Sequence, residues 1–239
     1  MDTRTVFDLN KNFGREGAPE YDQAIRLRIP GYEALHSTAR ALLECQLPPQ
    51  ARILVVAAGT GQELVSCAEG RPGWSFVGVD PSADMLDIAR TKIASVGLGD
   101  RVQLFCGSTV ELPASERFDA ATALLVMHFL PDDGSKHSFL QAIAERMKPG
   151  APLLLADLTG EPGTDEFETL FAAWQSHYAA ALGVPADDPA VAKEFAERRS
   201  RAGWGDEARH AELFAATGFA TPIRFWAGLL FRAWVMRKA

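Results

Sequence analysis

The chain has 239 residues, 47% of them hydrophobic, which suits one large α/β domain with added helices better than two independent cores. A formal net charge of -7, from 31 acidic against 24 basic residues, and the lack of a dense Lys/Arg run argue against a phosphate-tracking surface, so no nucleic acid partner is expected. Residues 1–8 lack an apolar signal core and no apolar run reaches membrane-spanning length, so the expectation is no membrane partner and a cytoplasmic location. Cys45, Cys67 and Cys106 are odd in number and far apart, which suggests buried reduced thiols rather than disulfides or a zinc knuckle.

Residues 1–50 read as an N-terminal helical cap, with helix over 19–45 broken at Pro30-Gly31. From 51 to 157, β-branched runs alternate with helix-period segments, the pattern of βαβ units around a parallel sheet. The predicted strands are 53–56, 76–79, 102–106, 120–126 and 152–156, and the predicted helices are 62–69, 83–95 and 135–147. Pro81-Ser82 opens the second of these helices and Lys148-Pro149-Gly150 closes the third. Residues 158–218 hold helices over 165–182, 190–202 and 205–217, expected as a lid over the carboxyl ends of the strands, where open α/β sheets bind ligands. Residues 219–239 hold two strand-like runs split by Ala227-Gly228, read as a hairpin on the sheet edge.

The first strand-to-helix turn reads Val55-Val56-Ala57-Ala58-Gly59-Thr60-Gly61-Gln62-Glu63. Small residues and two glycines let a ligand approach the backbone at a helix N-terminus. A dinucleotide site wants a third small residue where Leu64 stands, and Glu63 in the first turn disfavours a pyrophosphate. The turn therefore suits S-adenosylmethionine (SAM), a cationic sulfonium without phosphate, better than NAD. Asp80 closes the second strand, where a carboxylate accepts hydrogen bonds from a ribose diol, although helix capping beside Pro81 explains it equally well. Cys106-Gly107-Ser108 ends the third strand, where a backbone N–H and the Ser108 hydroxyl could meet an adenine edge. Leu124-Leu125-Val126-Met127-His128-Phe129-Leu130 ends the fourth, on the side where a substrate must approach.

This ordered set, Gly59-Thr60-Gly61, Asp80, Ser108 and His128-Phe129-Leu130, resembles the class I SAM-dependent methyltransferases. The resemblance implies a Rossmann-like α/β fold with a seven-stranded, mostly parallel sheet, an antiparallel last strand and a helical lid. It implies SAM as a substrate held by Ala57, Ala58, Gly59, Gly61, Asp80, Pro81, Met85, Gly107, Ser108, Leu124 and Leu125. The flanking segments, Arg28-Ile29-Pro30-Gly31-Tyr32, Arg198-Arg199-Ser200 and the hairpin from Phe225-Trp226 to Lys238, are most similar to carboxy-SAM synthases. That likeness implies that Tyr32 touches the methionyl part of SAM and that Arg199 meets a carboxylate in its own or a neighbouring subunit of a homodimer. Val55 and Leu124 depart from it, since many relatives have an acidic residue at the first position and the synthases have a ligand-touching Asn at the second.

His128 is a candidate base or substrate-orienting group beside a turn-packing role. His36, His137 and His210 read as surface residues, and no ligand spacing suggests a metal. Trp174, His177 and Tyr178 share one helix face, which suits either packing or a pocket, with Tyr178 a catalytic candidate. Arg198, Arg199 and Arg201 form a cationic cluster, either a solvated face or a carboxylate clamp. Methyl transfer from SAM to a small molecule is the leading expectation, with a carboxylate-bearing acceptor as one candidate. Carboxy-SAM formation, cyclisation of SAM with release of methylthioadenosine, and a SAM-binding regulatory module without turnover are the alternatives.

Overall fold

The computed structural model describes residues 20–113 and 115–239. The expectations for the first eight residues and for the start of the first helix at Pro19 lie outside the described residues. Seven strands form one sheet in the order β3-β2-β1-β4-β5-β7-β6: β1 Ala51–Val56, β2 Trp74–Asp80, β3 Val102–Cys106, β4 Ala120–Leu124, β5 Pro152–Leu158, β6 Ile223–Gly228 and β7 Phe231–Arg237. The first five are parallel, while β7 runs antiparallel to β5 and β6 antiparallel to β7.

Every residue of β4 and β5 is buried, as a parallel sheet covered on both faces requires. Alternation along β1 divides the core. Ile53 and Val55 face α2 (Tyr32–Gln46), α3 (Gln62–Ala68) and α4 (Ala83–Ser95), whereas Leu54 and Val56 face α5 (Ser135–Arg146) and α8 (Glu207–Ala216). Thus α2 and α8 are sheet-covering helices rather than parts of a cap and a lid. The segments left to cover the strand ends are α1 (Tyr21–Arg28), α6 (Asp165–Leu182) and α7 (Pro189–Arg201).

Several local expectations shift for physical reasons. The fourth strand stops at Leu124 because Leu125 turns left-handed, at φ 62°. The hairpin turns at Leu229-Leu230 rather than at Ala227-Gly228, which stay in β6 and pair with Arg232 and Phe231. A Cβ on Gly228 would lie 3.0 Å from the Pro30 carbonyl oxygen, so this glycine serves a close approach rather than a turn. Helix α5 ends at Arg146 because Met147 bridges to Phe118. His36 and His210 are buried rather than on the surface, and of the three cysteines Cys67 alone is buried.

Glu63 lies buried in the first turn of α3. Its Oε1 has no hydrogen-bond partner among the described residues, and burial, opposed only by the Thr122 hydroxyl, pushes its carboxyl up from 4.5 to about 7. The native chain therefore keeps this proton to higher pH than the unfolded chain, and stability falls as pH rises from 4.5 through about 7. At about 1.4 kcal/mol per pH unit, Glu63→Gln should stabilise the fold by on the order of 3 kcal/mol above pH 7. The gain should vanish near pH 4 in urea denaturation, and a gain independent of pH would show that the charge is not what costs stability.

Candidate active site

Two cavities open at the carboxyl ends of the parallel strands, of about 530 and 270 Å³. The larger runs along the ends of β1 to β4. Ala57, Gly59 and Gly61 all take positive φ in the turn after β1. A Cβ on Gly61 would come 3.0 Å from that of Ala89, so Gly61 seats the turn against α4, while Ala57 and Gly59 line the cavity. Gly61 and the buried Ala58 are supports behind it.

Asp80 holds this turn from the next strand. Its Oδ2 accepts from the Gly59 N–H at 2.9 Å and its Oδ1 from the Ser82 N–H at 2.8 Å. Burial raises the carboxyl above its ordinary range, and the two N–H groups oppose that rise. Asp80 lines the cavity, and each oxygen retains lone-pair capacity for a ligand hydroxyl. Helix capping does not account for it, because Ser82 is the N-cap of α4 and accepts from the Met85 N–H. Pro81, Met85, Gly107, Leu124 and Leu125 line the same cavity. Ser108 does too, but its N–H and hydroxyl are both directed at Glu111, at 2.6 and 2.7 Å, so the expected adenine contact of its side chain competes with a capping box.

Tyr21, Leu125 and Phe129 line both cavities. Leu125 is held in its left-handed conformation by an N–H bond of 2.7 Å to the Ala156 carbonyl, a strain that survives only where surrounding structure imposes it. Tyr21 is carried by α1, whose Asp22 accepts from Thr60 of the glycine turn and from Lys92. Burial and then Asp80 push the Tyr21 phenol up to about 12.

The smaller cavity is lined by His128, Trp174 and three arginines, Arg28, Arg198 and Arg201, with Glu194 and Glu197 among them. Arg28 and Arg198 both pair with Glu194, so one carboxylate is shared between two guanidinium groups. The His128 backbone N–H and Nδ1 both meet Asp157 Oδ1, at 2.9 and 2.6 Å. Burial pushes the Asp157 carboxyl up, but the flanking histidines outweigh it and hold it well below the usual range. An ionised carboxylate only accepts, so Nδ1 carries a proton, and in the neutral ring the lone pair is left on Nε2.

The candidates taken from the flanking segments fall elsewhere. Arg199 makes a two-pronged bond to Glu168, at 2.6 Å on each side, over the rings of Phe167 and Phe171. It lines neither cavity, because helical geometry turns it away from Arg198 and Arg201. Tyr32 packs edge-on to His36 in the core, with Tyr21 at the cavity wall in its place. Tyr178 is buried beside Glu194 behind the smaller cavity, and His177 points to solvent. Tyr21, Arg28 and Asp157 are the residues that sequence reasoning missed. Asp157 carried a signal, an acid at the end of a buried strand like Asp80, and Arg28 stood in a family-like segment without a role of its own, whereas nothing local marked Tyr21 as facing a site made mostly from distant segments.

Residues 54–153 match a family described as a methyltransferase domain. The chain is 30% identical over 192 residues to a ubiquinone/menaquinone biosynthesis C-methyltransferase (UbiE) of Syntrophotalea carbinolica, covering 80% of this chain and 75% of that protein. It is 31% identical over 148 residues to a demethylmenaquinone methyltransferase of Lactiplantibacillus plantarum, covering 61% of this chain and 60% of that one. An O-methyltransferase family protein from Burkholderia thailandensis shares the fold, with a TM-score of 0.67 at 16% identity, over 98% of this chain and 64% of that one. The chain thus spans about three fifths of the length of the Lactiplantibacillus relative and just under two thirds of the Burkholderia structure. Sequence, sheet order and strand-end cavities agree, and the chain belongs to the class I SAM-dependent methyltransferase family.

Asp80→Asn should weaken SAM binding roughly ten- to a hundredfold, equivalent to about 1.5–3 kcal/mol for a charge-assisted hydrogen bond. Isothermal titration checks this alongside circular dichroism. Unchanged affinity in a folded variant would confine Asp80 to bracing the Gly59 turn.

Proposed function

We propose that this chain transfers the methyl group of SAM, held in the larger cavity, to a small acceptor held in the smaller one, with His128 taking the acceptor's proton. The observation that carries this reading is the shared wall of Tyr21, Leu125 and Phe129, where occupants of the two cavities would meet. The larger cavity suits SAM chemically. Asp80 offers acceptors for a ribose diol, Gly59 permits close approach, and the apolar Val56, Leu124 and Leu125 exclude water from a sulfonium that needs no phosphate-binding cation. Relatives that are quinone C-methyltransferases and a ubiquinone biosynthesis O-methyltransferase support methyl transfer to a small molecule.

The reaction is an in-line displacement. A lone pair on the acceptor attacks the methyl carbon, the carbon–sulfur bond breaks, and its electron pair stays on sulfur as the sulfonium becomes the thioether of S-adenosylhomocysteine. The proton lost by the acceptor goes to His128 Nε2, and Asp157 stabilises the imidazolium that forms. No metal is required, because SAM brings its own leaving group, and alignment with exclusion of water supplies most of the rate. Arg28, Arg198 and Arg201 outnumber Glu194 and Glu197 in the smaller cavity, which favours a carboxylate-bearing acceptor and moves that role from Arg199 to its neighbours. A second subunit is not needed to occupy Arg199, which Glu168 already holds. The setting is cytoplasmic, with a small molecule rather than nucleic acid or membrane as partner.

Mass spectrometry after incubation with SAM alone, with prephenate, and with a panel of small phenolic and carboxylic acids separates the readings. S-adenosylhomocysteine is expected only with an acceptor. Carboxy-SAM formed with prephenate, methylthioadenosine released from SAM alone, or tight binding with no product would each replace methyl transfer. With an acceptor in hand, His128→Gln should lower kcat by about 10²- to 10⁴-fold while leaving SAM affinity unchanged. Full activity in that variant would remove His128 as the base.

A further inference from the structure

Asp157 serves two histidines. Its Oδ1 is taken by His128, while its Oδ2 lies 3.4 Å from Nε2 of His210, a residue of α8 on the far side of the sheet end. His210 and Asp157 are both buried, and His210 lines neither cavity. The His210 ring is stacked on Trp234 at 5.2 Å, and its Nδ1 lies 2.7 Å from the Asp206 carbonyl oxygen.

Donor counting then constrains the ring. A carbonyl oxygen only accepts, so Nδ1 carries a proton. An ionised Asp157 also only accepts, so a neutral His210 would set the Nε2 lone pair against a buried carboxylate. A ring protonated on both nitrogens donates in both directions. Among the described residues, further charges near this pair are the Lys136 ammonium on α5, which donates to the Gly203 carbonyl, and Asp132 with its partner Arg209.

We propose that His210 is a positioning residue that sits as an imidazolium on the far oxygen of Asp157 and, by sharing that carboxylate, keeps His128 available as a base. The inference rests on the reading of His128 given above. A base must be unprotonated when its substrate arrives, and His128 Nδ1 lies 2.6 Å from Asp157 Oδ1, whose negative charge attracts a cation. A second cation on Asp157 withdraws part of that attraction while leaving the carboxylate to orient the His128 ring. The Gly203 N–H donates to the His128 carbonyl at 2.8 Å, which fixes the turn so that charge can change at Asp157 without the ring moving.

Nitrogen-15 NMR of the imidazoles in the full chain tests this without any acceptor. At pH 7, His210 should show both nitrogens protonated, and His210→Gln should move His128 toward its protonated form. A neutral, Nδ1-protonated His210 in the wild type, or unaltered His128 nitrogens in a folded His210→Gln variant, would overturn the proposal. The wild-type spectrum decides the matter if that variant fails to fold. In turnover, His210→Gln should carry the acid limb of the kcat profile upward by roughly 0.5–1 pH unit, a three- to tenfold loss on that limb with the alkaline plateau retained. Equal losses at all pH values would mark His210 as structural. Because the NMR result does not depend on activity, failure of His128→Gln to impair turnover would count against the proposed function and not against the shared carboxylate.

Discussion

A carboxylate at the end of a buried parallel strand has to find donors within the protein, and two such carboxylates organise everything at this end of the sheet. Asp80, ending β2, recruits backbone N–H groups from the Gly59 turn and from Ser82. Asp157, near the end of β5, recruits the His128 backbone and the rings of His128 and His210. Burial alone would drive both groups toward their neutral forms. At Asp80 the opposing donors are dipoles and the carboxyl remains raised, whereas at Asp157 they are imidazoles and it is held down. The difference in partners divides the labour: one carboxylate shapes a binding turn, and the other orients a ring that handles protons.

Between these two acids the chain places a wall instead of a continuous cleft. Leu125 keeps a left-handed conformation because its N–H is committed to the Ala156 carbonyl, and its side chain is thereby presented to both cavities. Helix α1 closes the same boundary from above, held at its start by Asp22 on Thr60 and Lys92, and at its end by the Arg28 carbonyl, which accepts from Trp174 Nε1 at 2.7 Å. The anchors of this helix thus come from the glycine turn and α4 at one end and from the lining of the smaller cavity at the other. The arginines follow a similar economy: Glu194 neutralises part of the charge of the half-buried Arg28 and Arg198, and the pocket still carries an excess of positive charge.

Much of the sheet was legible in the sequence because strand runs such as Ile53 to Val56 are β-branched, short and bounded by turns. The donor side of the site was legible for a related reason. Its residues sit at strand ends in a fixed order, so Gly59, Asp80 and Gly107 could be placed by counting. What the sequence concealed was made by non-local packing. Arg198, Arg199 and Arg201 are adjacent in a line of text, but the helical repeat sends Arg199 to Glu168 and its neighbours to the cavity. His210 read as a surface residue because a periodic pattern does not reveal that α8 covers the sheet and delivers its histidine to Asp157. Tyr21 was hidden for the same reason, since its role exists only after α1 is laid across the turn that follows β1.

A structure of the chain with S-adenosylhomocysteine bound tests the division into donor and acceptor cavities most directly. The adenine is expected near Gly107 and Val110, the ribose hydroxyls on Asp80, and the sulfur against Leu125, facing His128 across the shared wall. A ligand seated in the smaller cavity among Arg28, Arg198 and Trp174, or one whose sulfur points away from Leu125, would contradict the account.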